Sequence, residues 1–115
     1  MTPVALDVHT PRTSTVAIIL HHTAGPATQT VEVIRAYHQR NGWRDVGYHL
    51  LIRQGARWPG RPMEAVGAHA PGWNMRSVGV ALVGDYSREP PPPEQMDQLY
   101  ATLAWLLGRY PGARI

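Results

Sequence analysis

Two uninterrupted apolar runs, Val16–Leu20 and Val78–Val83, constrain this chain more than any other feature. Each is rich in β-branched residues and offers no polar side chain to water. Such runs read as buried central strands. A short chain that buries two strands completely needs helices to cover them, and the pattern supplies two. Thr28–Arg40 reads as a helix, with Val31, Ile34 and His38 on one stripe, Tyr37 beside it, and Glu32 in the first turn. Asn41-Gly42 ends it. Glu94–Arg109 reads as a longer helix, with Met96, Leu99, Leu103, Leu106, Leu107 and Tyr110 at helical spacing. Pro93 suits its first position, and Pro111-Gly112 stops it.

The remaining segments are shorter. Val46–Ile52 alternates: Val46, Tyr48, Leu50 and Ile52 are expected on one face, and Gly47, His49 and Leu51 on the other. Gly55 turns the chain into a short strand near Arg57-Trp58. Pro59–Met75 is a long loop rich in proline and glycine, of the kind that carries function. Residues 1–15, with Pro3 and Pro11, read as an irregular leader, and residues 16–115 as one domain without repeats. The expected class is α/β.

Composition narrows the function. A chain of 115 residues with 43% hydrophobic and 17% charged residues is globular and has room for one core. The net charge of +3 comes entirely from arginine, since lysine is absent. That balance favours a polyanionic partner such as a cell wall, but the arginines are scattered from Arg12 to Arg114, so nucleic acid is not expected. With no cysteine, disulfides are impossible. Val16–Leu20 is too short for a signal-peptide core or a membrane span, so synthesis in the cytoplasm without membrane insertion is expected.

Six histidines are many for this length, and His21-His22 sit at the end of the first strand. Imidazole is a common zinc ligand. Adjacent strand residues face opposite ways, so the two should not reach one ion. One faces a cleft while the other packs or hydrogen-bonds beneath it.

The ordered series is more specific than the pair. His21-His22-Thr23-Ala24 is followed by Tyr37-His38, by Gly42-Trp43-Arg44-Asp45-Val46-Gly47-Tyr48-His49, and by Gly60-Arg61. Gly67-Ala68-His69 comes next, and then Asn74 with Ser77-Val78-Gly79-Val80. This series resembles the type 2 N-acetylmuramoyl-L-alanine amidases, the superfamily of peptidoglycan recognition proteins and of short podovirus amidase endolysins. The likeness is closest to the endolysins and runs from about Val16 to Ile115.

The resemblance implies a central mixed sheet flanked by a few helices, with a groove across one face. It implies hydrolysis of the amide between N-acetylmuramic acid and the L-alanine of the stem peptide by a zinc-bound water. His21 would be a zinc ligand, with His22 structural. Tyr48 would stand near the metal and steady the oxyanion. His69 would lie in the groove near substrate. Asn74 and Ser77 would contact substrate or cap turns. Trp58 and Trp73 would stack on sugar rings or simply pack. Arg61 would meet a stem-peptide carboxylate or stay solvated. Trp43 would pack under the site, Asp45 would fix the turn, and His38 would be a hydrogen-bonded core residue.

In the family, the turn matched by Tyr110-Pro111-Gly112 leads to a strand and then to the other zinc ligands. Those positions fall beyond Ile115, so a domain truncated at its C-terminus is expected. His69 and His49 are not expected to replace them, because His49 should face away from Tyr48. The expected protein is a monomer of phage origin that acts on cell-wall peptidoglycan. The alternative is a muropeptide-binding module without a zinc site.

Overall fold

The computed structural model describes residues 9–115. Its elements are β1 (Ala17–His22), α1 (Val31–Arg40), β2 (Leu50–Arg53), β3 (Ala56–Pro59), β4 (Ser77–Leu82) and α2 (Pro93–Arg109). The four strands form one sheet in the order β1-β4-β2-β3. β4 pairs in parallel with β1 and with β2, and β3 pairs antiparallel with β2. The sheet is mixed, as expected.

Both apolar runs become strands, and β4 takes the centre. Its residues Ser77–Ala81 are all buried. Val78 and Val80 join Ile18, Leu50 and Ile52 against Leu99 and Leu106 of α2. On the opposite face Leu51 and Val83 pack with Val31 and Ile34 of α1 and with Val46. The sheet is therefore sandwiched between two helices, which is why its central strand has no polar face.

Three sequence expectations shift. Helix α1 starts at Val31, not Thr28, because Thr30 is extended and its hydroxyl accepts the Val33 N–H at 3.2 Å. The alternation over Val46–Ile52 does not hold throughout. Leu50 and Ile52 face α2, whereas Val46 and Tyr48 lie with Leu51 on the α1 side. The chain bends at Gly47 and at His49 before entering β2, and the bend resets the faces. In this stretch the Gly47 N–H goes to His38 Nδ1 and the Tyr48 carbonyl accepts from Arg61 N–H.

The third shift concerns the expected leader. Residues 1–8 lie outside the described residues. From Thr10 onward, however, the chain is already built into the domain: the Thr10 carbonyl accepts the Val66 N–H at 2.7 Å, and Pro11 bridges to Ala65. Arg12 donates from Nε to Thr15, from Nη1 to the Ala65 carbonyl and from Nη2 to the Tyr110 hydroxyl. At the other end, Arg114 begins a parallel pairing beside β1, with the Ile18 N–H donating to its carbonyl at 2.6 Å.

Candidate active site

The small residues of β4 make the floor of the site. Ser77, Gly79 and Ala81 alternate with Val78 and Val80, so they occupy the sheet face away from α2. His21 is paired with Ala81 and shares that face. The ring of His69, from the long loop, lies directly over Gly79: a Cβ there would come within 2.5 Å of His69 Cγ. This close approach requires glycine. His69 is fixed from behind by Asn74, whose Oδ1 accepts the N–H groups of His69 and Ala70. The result is a direct contact, His21 Nε2 to His69 Nδ1 at 2.9 Å. Tyr48 completes the group, its ring centroid 5.4 Å from that of His21. The cluster sits over the sheet face and not beyond the strand ends.

Burial sets the charge states. It lowers the pKa of His21 and pushes the Tyr48 phenol up, which keeps the hydroxyl protonated. His69 is held down to about 3, first by burial and then by His21 and His49 beside it. The Tyr48 hydroxyl has no hydrogen-bond partner among the described residues and is not sealed from solvent. It borders a cleft of about 240 Å³ lined by Thr23, Ala24, Tyr37 and His38. A protonated hydroxyl beside an open cleft is a ready donor to a substrate oxygen.

The other sequence candidates divide. His22 is structural, its Nδ1 accepting the Tyr86 N–H. His38 accepts from Gly47 and packs edge-on against Trp43 at 4.7 Å. Asp45 fixes its turn by accepting from Val46 N–H and Arg35 Nε. Arg61 donates from Nε to the Val46 carbonyl and from Nη1 to the Val66 carbonyl, which anchors the loop. Asn74 likewise spends its carbonyl oxygen on the turn. Trp58 lies on the outer strand β3, three strands from His21, or roughly 14 Å at normal strand spacing. Trp73 is half-exposed and stacks with Arg76, 4.1 Å from its ring centroid. Neither tryptophan joins the His21–Tyr48–His69 cluster.

A family model described as N-acetylmuramoyl-L-alanine amidase matches residues 11–115. The chain belongs to that family. This amidase is 44% identical over 110 residues to the endolysin of Escherichia phage T7, a match covering 89% of this chain and 73% of the relative. It is 42% identical over 111 residues to the endolysin of Enterobacteria phage T3, covering 90% and 74%. Among solved structures, the Ph2119 endolysin from the Thermus scotoductus MAT2119 bacteriophage aligns with a TM-score of 0.88 at 37% identity, covering 92% of this chain and 73% of the other.

The amidase's described residues do not by themselves make up a zinc site. Catalytic zinc takes three protein ligands and a water. Among the described residues, no three His, Cys, Asp or Glu side chains converge to hold an ion. His49 is nearer than expected, 5.8 Å from His69 between ring centroids. Both its nitrogens are occupied, however: Nδ1 accepts the Gly79 N–H, so Nε2 carries the proton and donates to the Ala65 carbonyl. Arg12 Nη1, 3.2 Å from the same Nε2, shares that carbonyl with it. Of the expected ligands, His21 is the one that lies among the described residues.

Two features escaped the sequence reading. The His21–His69 contact joins residues 48 positions apart, and nothing local announces it. Arg12, placed in the leader, anchors the loop under the site. Gly79 was legible in principle, since a glycine inside an apolar strand marks a close approach.

Proposed function

We propose that this amidase hydrolyses peptidoglycan, cleaving the amide between the lactyl group of N-acetylmuramic acid and the L-alanine of the stem peptide. The observation that carries the proposal is the pairing of Tyr48 with His21 beside the open cleft. As water adds to the carbonyl, negative charge develops on its oxygen. Tyr48 is the donor for that charge, already oriented and kept protonated by burial. His21 lies against the Tyr48 ring, 5.4 Å between centroids. The family match and the endolysin relatives support the choice of bond.

Zinc dependence belongs to the proposal, with the missing ligands coming from outside residues 9–115. So does action at the cell wall by a monomer made in the cytoplasm; no helix of the described residues is long and apolar enough to cross a membrane. A second reading, a muropeptide-binding module without turnover, has the incomplete ligand set in its favour.

One experiment separates them. Purified peptidoglycan is incubated with the chain, and newly exposed amino-terminal L-alanine is measured in the soluble and bound fractions. Release that falls in Tyr48→Phe supports the amidase reading. Co-sedimentation without release supports the binding module, and neither result sinks both.

A further inference from the structure

The hydrogen bonds around His21 determine which of its nitrogens is bare. Ser77 Oγ lies 2.7 Å from the Trp73 carbonyl. A carbonyl only accepts, so the single hydroxyl proton is committed there. The same Oγ lies 3.3 Å from His69 Nε2 and can only accept from it. His69 Nε2 therefore carries a proton, and the lone pair of the neutral ring is on Nδ1. That Nδ1 faces His21 Nε2 at 2.9 Å, so His21 Nε2 must be the donor. The lone pair of His21 is left on Nδ1, which bonds to no described residue and is not sealed from solvent. Among the described residues no carboxylate contacts the His69 ring, whose near neighbours include His21, His49 and Ser77.

We propose that His69 and Ser77 are positioning residues: the relay from His21 through His69 and Ser77 to the Trp73 carbonyl locks His21 in the Nε2–H tautomer and leaves Nδ1 as its free acceptor. The relay is built into the fold. Asn74 fixes the backbone of His69, Gly79 admits its ring, and Ser77 is buried in the central strand. Outer residues that set a histidine tautomer control what the opposite nitrogen can bind. The inference rests on the proposed role of His21 in the amidase site, but its geometry needs no bound group.

The test reads tautomers directly. Long-range ¹H–¹⁵N spectra of the metal-free chain report which nitrogen of His21 and of His69 bears hydrogen. The expected result is a single Nε2–H form for both. In Ser77→Ala the last acceptor is lost, and both rings should become tautomeric mixtures. Ser77→Thr keeps the hydroxyl and should restore the single form. Thermal unfolding of each variant distinguishes a lost relay from a lost fold. An Nδ1–H signal on His21 in the unaltered chain, or unchanged tautomers in a folded Ser77→Ala, overturns the proposal.

Activity is a separate arm. If the amidase reading holds, Ser77→Ala should lower kcat by about 10- to 100-fold with KM little changed. A single His21 tautomer in a zinc-replete protein without hydrolysis would leave the relay standing and remove the amidase reading.

Discussion

Gly79 and His69 are matched across the floor of the site, with the ring so close over the strand that a methyl group at position 79 would fall 2.5 Å from Cγ. The strand cannot retreat, because β4 is paired on both sides and packed against α2. Gly79→Ala should therefore push His69 off His21. Overpacking of this kind costs about 1–3 kcal/mol. Chemical denaturation gives the stability change, and the His69 ring shifts give the displacement. A variant as stable as the parent, with unmoved ring signals, would contradict the packing described.

Tyr48→Phe removes one hydroxyl and leaves the ring against His21. The hydroxyl bonds to no described residue, so folding should change little. Assayed with the zinc site complete, hydrolysis should fall by about 10²–10³ in kcat, the loss typical of one oxyanion donor, with KM nearly constant. Steady-state kinetics on a soluble muropeptide checks this. Equal kcat would remove Tyr48 from the chemistry.

The parts of this site that could be read from sequence are those written in local periodicity. β1, β4 and both helices follow from apolar runs and helical spacing, whereas the roles expected of His21 and Tyr48 came from the family resemblance. Arg61 and Asn74 were harder. Both sit in loops, where a polar side chain can face substrate or satisfy its own backbone, and the choice depends on carbonyls brought near by folding. The faces of Tyr48 and His49 went astray because a bend at the strand entrance resets alternation without any proline to signal it.

Arg61 gives a prediction that separates the two roles. Its guanidinium donates to Val46 and Val66 carbonyls that have been drawn partly out of water. Charged donors to such acceptors are worth about 1.5–3 kcal/mol. Arg61→Ala should lower stability by that order. Any activity lost at room temperature should return when the variant is assayed on cooling, where its folded fraction recovers. A KM raised in a fully folded variant would instead restore Arg61 to substrate binding.

Acid should unfold the protein through its buried histidines. Burial lowers His49 from 6.5 to about 4, opposed by its bond to Ala65 and reinforced by Arg12, Arg61 and His9, while His69 falls to about 3. The unfolded chain takes up these protons near pH 6.5, and the folded chain refuses them until far lower. Stability is thus full above that range and is lost as pH falls toward the folded values. For His49 the total is on the order of 3 kcal/mol. Urea unfolding between about pH 7 and about pH 5 should show the decline. His49→Gln should flatten it while lowering stability at neutral pH, and a pH-independent parent would refute the account.

Zinc content tests the ligand arithmetic. Among the described residues His21 Nδ1 is the expected ligand atom, and a single imidazole leaves a zinc ion mostly hydrated, whereas three protein ligands hold it. The 115-residue chain, loaded with zinc and dialysed, should retain far less than one ion per molecule. Its melting temperature should not rise with added zinc, since only a ligand that binds the folded state stabilises it. Elemental analysis and a thermal scan measure both. Stoichiometric zinc that disappears in His21→Ala would mean that residues 1–8 or a second copy complete the site, and a search for the remaining ligands would begin with those two sources.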